Sequence, residues 1–172
     1  MLEKYSIESF ENRLLQCLDF ADIFELVKEA VETVAGKSRA GLTLGIADLG
    51  GSRRQFLGAF YPFPSNMIVI NSFPIKRLQE TRKELLKPYI FTVLLHEYIH
   101  TLGCLDEAET RQRAHKVCLK VFGASHLSTE LARDITRFLP EFSYPNVGWF
   151  PQKQPEIKLV GGFDKGNVTY VA

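Results

Sequence analysis

The first part of the chain has the hydrophobic spacing of an amphipathic helix. From Ser6 to about Ala35, apolar residues recur three and four positions apart, as they do along one face of a helix. Ser6 is a residue type that caps helices, and Gly36 is the type that most often ends them. The acidic stretch Asp19–Asp22 indicates a break, so the pattern predicts two consecutive helices in this region.

Short apolar runs replace the helical spacing after Gly41. Three strands are predicted, over 42–47, 55–61 and 67–71, because each run is short, apolar and bounded by turn residues. The turns between them contain Gly50 and Pro62.

Helical spacing returns at about Lys76. Pro88 suits the first turn of a helix better than its interior, so we expect a charged helix over 76–87 and a separate one over 88–103. The second is apolar on nearly every side, which is typical of a helix that crosses a domain interior. Two further helices are predicted, over 106–122 and 128–138.

The last part of the chain has a different character. Residues 140–155 are rich in proline and aromatic residues, which indicates irregular structure. The runs 157–160 and 168–171 predict a terminal hairpin or a loose tail. Helices together with a few strands predict a single α+β domain over residues 1–172, in which 140–172 form an irregular C-terminal extension.

Composition and charge narrow the class of protein. Apolar residues make up 45% and charged residues 24% of the chain, as in ordinary globular proteins. The net charge of +1 gives no electrostatic case for binding nucleic acid or an anionic membrane. Neither a signal peptide nor an apolar run long enough to cross a membrane is present. Three unpatterned cysteines indicate a reducing compartment, so we expect a soluble cytoplasmic protein, with Cys104 a small buried residue rather than a metal ligand.

The stretch His96–His100 reads HEYIH, an HExxH motif at the end of the apolar helix. Residues four apart lie on one face of a helix, so both imidazoles can reach one metal ion. Glu97 is offset to the flank where a water on that ion would lie, and it can act there as general base. Two surface histidines would be a simpler interpretation, but the preceding apolar run Ile90–Leu95 would bury these polar groups at a cost. A metal site removes that cost, and nitrogen and oxygen ligands make Zn2+ the expected cofactor.

The motif and the residues after it, HEYIHTLGCLD over His96–Asp106, resemble the metzincin pattern HExxHxxGxxH/D in the form whose last ligand is Asp. The resemblance implies a zincin-like fold, with an active-site helix below a small mixed sheet of about three strands and flanking helices. It also implies peptidase chemistry, with Glu97 as general base and acid and an extended peptide paired with an edge strand. Both methionines, Met1 and Met67, precede the motif, so the metzincin Met-turn has no counterpart. The chain is also similar to small uncharacterised archaeal HExxH proteins with the run LHEY-I/L-H-x-LG-x-LDE.

Two carboxylates compete for the position of third metal ligand. Asp106 is preferred because it has the metzincin spacing after the second histidine, although with Glu109 it also forms a capping box. Glu107 is the alternative, because the inward face of the next helix extends back to it. It would then resemble the gluzincins, in which a Glu on the next helix completes the site. Arg111, one turn further on, can orient either carboxylate.

The remaining candidate residues have structural interpretations beside the functional ones. Glu109 and His115 are weaker candidates for the third ligand, and His115 is interpreted more simply as a core or surface histidine. For His126 a capping or surface role is favoured over polarising a substrate carbonyl. Tyr144 and Trp149 lie in the irregular stretch and are candidates for lining a substrate cleft.

These features together predict a zinc-dependent metallopeptidase acting on a peptide or protein substrate. One alternative is a zinc-dependent endoribonuclease of the HxxxHxxGxDH type, which has Gly at the position of Glu97. Another is a non-catalytic, zincin-derived binding scaffold. Glu97 favours the peptidase over both, because it supplies a base that those nucleases lack and that a structural site does not need. The stretch after residue 140 is also a candidate for restricting access to the cleft.

Overall fold

The computed structural model describes residues 7–145 and 149–161 of the chain. In chain order its elements are α1 (Ile7–Gln16), α2 (Phe20–Ala35), β1 (Thr43–Ala47), β2 (Phe56–Leu57), β3 (Ala59–Phe60), β4 (Met67–Asn71), α3 (Ser72–Thr81), α4 (Lys83–Thr101), α5 (Glu107–Phe122), α6 (Leu127–Arg133), a 3-10 turn (Ile135–Arg137), β5 (Phe142–Ser143) and β6 (Lys158–Val160). The described residues thus contain six α-helices and a four-stranded mixed sheet, and the predicted α+β class is confirmed.

The N-terminal helical region is divided as its pattern predicts. After α1 ends, the carboxylate of Asp19 caps α2 by accepting a hydrogen bond from the backbone N–H of Asp22 at 2.8 Å. The helix ends at Gly36, whose φ of 65° is a left-handed conformation that glycine adopts without strain. The predicted break and the predicted end of the helix are both confirmed.

The main sheet is small and mixed. β1 pairs in parallel with β4, with Thr43 opposite Met67 at one end and Ala47 opposite Asn71 at the other. β3 pairs antiparallel with β4, and β6 antiparallel with β1, which gives the order β3-β4-β1-β6. The first and third predicted strands are confirmed, and the sheet has four strands instead of about three.

The second predicted strand and the predicted terminal hairpin compare differently with the structure. The predicted strand 55–61 is divided at Gly58 into β2, which pairs with β5 in a separate parallel sheet, and β3. A Cβ at Gly58 would lie 2.4 Å from the Phe142 ring, so at this break the ring occupies the space of a side chain. The first run of the predicted terminal hairpin contains β6, which pairs with β1 at the edge of the main sheet. Residues 168–171 lie outside the described residues.

The helices before the motif separate at Arg82 and not at Pro88. Arg82 has a non-helical backbone (φ −147°, ψ 70°), and its guanidinium donates to the carbonyl of Phe138 at 2.8 Å. Pro88 lies inside α4, where it cannot donate to the carbonyl four residues earlier. That carbonyl belongs to Glu84, an exposed residue in the first turn, where water can replace the missing donor. The prediction of a break at Pro88 was therefore wrong.

α4 runs through the centre of the molecule and carries the motif. Every residue from Pro88 to Thr101 is buried, and the helix packs against α2, α3, α5, α6 and the strands β3 and β4. Edge-to-face aromatic pairs join it to its neighbours, Tyr98 to Phe24 of α2 and Phe91 to Phe122 of α5. The motif is therefore held on a rigid element that is packed on all sides.

The structure shows where the cysteines lie and whether a helix could cross a membrane. Cys17, Cys104 and Cys118 are buried free thiols, and Cys104 occupies the place of a small buried residue, as expected. Burial raises the pKa of the Cys118 thiol, which keeps it protonated and unreactive. Within the described ranges, no helix combines the length and the apolar character needed to cross a membrane.

Candidate metal centre

The two motif histidines share one face of the last turns of α4. The Nε2 atoms of His96 and His100 lie 3.1 Å apart, and both side chains are almost completely buried. Their spacing of four residues places one ring above the other along the helix. The predicted convergence of the two imidazoles is present in the fold.

A tight turn leads from α4 into α5. Gly103 has a φ of 101°, in the left-handed region that favours glycine. Asp106 then caps α5, because its carboxylate accepts a hydrogen bond from the backbone N–H of Glu109 at 2.7 Å. The turn and the cap together direct Glu107, the first residue of α5, towards the histidines.

Glu107 completes a triangle of donor atoms with the two imidazoles. Its Oε2 lies 2.9 Å from Nε2 of His96, and its Oε1 lies 2.9 Å from Nε2 of His100. The first contact has hydrogen-bond geometry, whereas Oε1 has no hydrogen-bond partner in the described part of the chain. Two imidazoles and a carboxylate, with donor atoms within 4.8 Å of one another, form a group able to hold a metal ion.

A backbone carbonyl orients His100. The ring Nδ1 lies 2.7 Å from the carbonyl oxygen of Cys104, so Nδ1–H is the donor and the lone pair of Nε2 faces the cluster. Thr110 Oγ1 donates to the same oxygen at 3.3 Å. A hydrogen bond from the far ring nitrogen is the usual support of a metal-binding histidine.

The carboxylate of Glu107 sets much of the electrostatics of this cluster. Burial raises the pKa of Glu107, but its close contacts with the imidazoles of His100 and His96 outweigh burial and lower the pKa to about 2. Burial lowers the pKa of His100, yet Glu107, Glu97 and the Cys104 carbonyl outweigh it and the pKa is raised. For His96 burial prevails over the hydrogen bond to Glu107, and the pKa is lowered.

Glu97 lies between the two histidines in sequence and is buried. Its side chain is 2% exposed and makes no hydrogen bond to any residue that the structure describes. Burial raises its pKa to about 8, with His100 opposing the rise and Glu107 adding to it. An unpartnered acid destabilises a protein interior. Packing therefore gives no reason for a Glu at this position.

No family model, curated protein or solved structure matches this chain. The interpretation of the site therefore depends on its own donors. Two imidazoles and one carboxylate form one of the three-ligand sets found in catalytic zinc sites. Two further observations fit an ion here: the far nitrogen of His100 is already bonded, and the buried Oε1 of Glu107 has no hydrogen-bond partner among the residues that the structure describes. The residues present thus fit a zinc ion.

The two carboxylates that compete for the third position have separate roles. Asp106, the preferred ligand from its spacing, is exposed and binds the backbone N–H of Glu109. It stands outside α5, so its side chain turns to the unpaired N–H groups at the helix start. Glu107, the alternative, is the carboxylate that reaches both imidazoles. Glu109, the weaker candidate, forms an ion pair with Arg113 on the surface of α5.

The other two histidines are outside the cluster. His126 caps α6, because its Nδ1 accepts a hydrogen bond from the backbone N–H of Ser128 at 3.1 Å, and its ring stacks on Phe122. The capping role favoured for His126 is confirmed. His115 is partly buried on α5 and lines a surface cavity with Arg111 and Arg133.

Tyr144, from the segment after β5, covers one face of the cluster. Its ring is stacked on His96, with centroids 3.8 Å apart and an interplanar angle of 13°. It lines a cavity of about 550 Å³ together with Glu107, so its predicted place in a cleft agrees with the structure. Trp149, the other cleft candidate, packs edge-to-face on Phe60 and is not among the residues lining that cavity.

Some residues of the site have no signal in the sequence. The carbonyl of Cys104 acts through its backbone, and no side-chain pattern marks such a partner. Arg133 lines the Glu107 cavity only because α6 packs against α5. Arg111 was signalled, because it follows Glu107 by one helical turn.

Proposed function

We propose that this protein is a zinc-dependent metallopeptidase with a zincin-like fold. The observation that carries the proposal is the buried Glu97, which has no hydrogen bond to a described residue, beside a triangle of metal donors formed by His96, His100 and Glu107. A structural zinc site needs the donors but has no use for the acid between them. The combination resembles zincins in which a Glu on the following helix is the third ligand.

Each residue has a definable part in hydrolysis. The two histidines and Glu107 hold the ion, and the Cys104 carbonyl keeps His100 in the required tautomer. A zinc ion at these donors would supply Lewis acidity, activating water near neutral pH and polarising a carbonyl. A cation at the donor triangle would favour the ionised form of Glu97. The ionised carboxylate accepts the proton of the attacking water and returns it to the departing amine nitrogen. The surrounding apolar core keeps bulk water from the acid, which strengthens these interactions.

The catalytic role of Glu97 can be tested separately from metal binding. Glu97→Gln keeps the volume of the side chain but removes the base, so we expect zinc content to be retained and cleavage to fall about 10²–10⁴-fold. Zinc is measured by elemental analysis of protein purified without added metal, and cleavage by mass spectrometry of a peptide library. Glu109→Gln is the matched control, since Glu109 is exposed and pairs only with Arg113 among the described residues.

The same experiment distinguishes the alternatives. Unchanged cleavage in Glu97→Gln protein would contradict the proposed mechanism. If the purified protein contains no zinc and does not cleave peptides, a zincin-derived scaffold is favoured. If it cleaves RNA and not peptides, the endoribonuclease is favoured. Three buried free thiols support a reducing compartment, and we propose the cytoplasm.

A further inference from the structure

A cavity of about 550 Å³ adjoins the metal cluster and carries two cationic side chains. Glu107 forms part of its wall, and Arg111 and Arg133 are its cationic lining residues. Arg111 stands one turn after Glu107 on α5, and Arg133 is the last residue of α6. The cavity therefore combines a metal donor and two guanidinium groups in one space.

Neither guanidinium has an acidic partner within the described ranges. No ion pair or side-chain hydrogen bond joins Arg111 or Arg133 to a described residue. Of the carboxylates that line the same cavity, Glu107 contacts the histidines, and Asp134 accepts hydrogen bonds from the N–H and hydroxyl of Thr136. Those hydrogen bonds, and to a smaller extent the charges of Arg137 and Arg133, lower the pKa of Asp134. Burial lowers the pKa of His96 and raises that of Tyr144; the positive charge of Arg111 adds to the first shift and opposes the second, which agrees with its position beside the cluster.

We propose that this cavity binds a carboxylate of the peptide substrate, close to the bond that is cleaved. This inference rests on the proposed peptidase function and specifies its substrate class. Guanidinium groups bind carboxylates through paired, charge-assisted hydrogen bonds. Residues one helical turn apart have Cβ atoms about 5–6 Å apart, and an extended peptide advances about 3.3–3.6 Å per residue. A carboxylate on Arg111 thus lies within about two residues of a bond positioned at the metal.

The rest of the cavity wall indicates what accompanies the carboxylate. Leu131, Ile135 and Phe142 contribute apolar surface next to the arginines. An apolar side chain beside the anionic group fits this combination. The carboxylate is either the C-terminus of the peptide or an acidic side chain, and both sources present the same group to Arg111.

The cavity suits a short peptide better than a nucleic acid. Single strands of nucleic acid are bound along a continuous basic groove with stacked aromatic residues. Here two exposed cationic residues line one open cavity together with Asp134, and the lining aromatic Tyr144 is already stacked on His96. Binding of RNA is therefore an outcome of the test and not the proposal.

Isothermal titration of zinc-loaded Glu97→Gln protein measures binding without turnover. The probes are acetyl-alanyl-leucine with a free carboxylate, its C-terminal amide, and acetyl-alanyl-glutamyl-leucine amide, in which the only carboxylate is on a side chain. We expect the better carboxylate probe to bind about tenfold to a hundredfold more tightly than the neutral amide. Arg111→Gln and Arg133→Gln, added to that protein, should reduce this preference, and Arg111→Lys should restore part of it.

Arg113→Gln is the matched control for the arginine substitutions. Arg113 is an exposed residue of the same helix, it pairs with Glu109, and it does not line the cavity. Equal zinc content and equal circular dichroism of all variants exclude a loss of fold. The proposal would be overturned if charged and neutral peptides bound equally, if no peptide bound, or if Arg113→Gln also lost the carboxylate preference. Tighter binding of a ten-nucleotide RNA that depends on Arg111 would overturn it as well.

Cleavage by wild-type protein separates this proposal from the proposed function. If the wild-type protein cleaves the charged and neutral peptides equally well, the peptidase stands and the carboxylate site is wrong. If the carboxylate preference is present and depends on Arg111, but no peptide is cleaved, the binding site stands and the peptidase is wrong.

Discussion

The choice of ligand at the site depends on which acidic residues already have partners. Asp106 is bound to a backbone N–H at the start of α5, and Glu109 is bound to Arg113. Glu107 has contacts only with the two histidines among the acidic and basic residues that the structure describes. A carboxylate without another partner remains available to a metal, and this difference separates three acids that are close neighbours in sequence.

Substitution of Glu107 should lower zinc affinity, whereas substitution of Asp106 should lower the free energy of unfolding. Glu107→Ala removes a proposed ligand. Loss of a residue that only hydrogen-bonds to a ligand lowers metal affinity about 10–100-fold, so we expect a larger fall in zinc affinity here. Asp106→Ala removes a helix cap, so the free energy of unfolding should fall by about 1 kcal/mol while zinc is retained. Zinc affinity is measured by competition with a chelating dye, and stability by urea unfolding. Loss of zinc from Asp106→Ala with normal binding by Glu107→Ala would restore the metzincin assignment.

At the residue scale, the sequence predicted that the two histidines converge, but it left the residue beside them ambiguous between Asp106 and Glu107. His96 and His100 are fixed relative to each other by helix geometry alone, so their spacing is sufficient. Glu107 depends instead on the angle between α4 and α5, which is set by Gly103 and the Asp106 cap. The spacing after the motif could not specify that angle.

At the scale of elements, the turn at Gly103 determines whether the two ligand-bearing helices meet correctly. Gly103→Ala has free space around the added methyl group but forces alanine to a φ of 101°. We expect the free energy of unfolding to fall by about 1–2 kcal/mol and zinc affinity to fall as well. Gly36→Ala is the control, because it also has positive φ and free space but ends α2. It should lose stability and keep its zinc affinity, and equal zinc loss in both would contradict this role of the turn.

Asn71 links β4 to three neighbouring segments. Its Oδ1 accepts from the N–H groups of Leu49 and Phe73, and its Nδ2 donates to the carbonyls of Gly50 and Leu57. The side chain is completely buried, so Asn71→Ala should leave unpaired buried groups and lower the free energy of unfolding by about 3–5 kcal/mol.

Urea unfolding of Asn71→Ala is compared with that of Asn66→Ala. Asn66 is an exposed residue in the turn before β4, and its substitution should change stability by less than about 0.5 kcal/mol. Similar values for the two variants would show that the hydrogen bonds of Asn71 do not support the sheet.

Elements were predictable where a local pattern decides them. The stop at Gly36 and the all-round apolar character of α4 follow from residues that are adjacent in the chain. The split at Gly58 and the position of β6 depend on distant partners, the Phe142 ring and the edge of β1. Such partners leave no local trace in the sequence.

For the whole molecule, the core and the metal centre are largely separate contributions to stability. α4 is buried by apolar contacts with α2 and α5, and these contacts do not involve the donor triangle. A domain of this size with a contiguous core does not depend on a metal to fold. We therefore expect the structure to form without an ion, and an ion bound at the proposed centre to add to its stability.

Zinc should raise the melting temperature of the metal-free protein without being needed for folding. An ion that binds only the folded state at about 100 times its dissociation constant adds about 2.7 kcal/mol, or about 5–10 °C for a domain of this size. The measurement is a thermal unfolding scan by circular dichroism after chelation, with and without added zinc. His100→Ala should lose the zinc-dependent rise, whereas His115→Gln should keep it, because His115 is outside the donor cluster. An equal rise in His100→Ala protein would show that zinc binds elsewhere on the folded chain. An unfolded chain after chelation would show that the core is insufficient and that the ion is part of the folding unit.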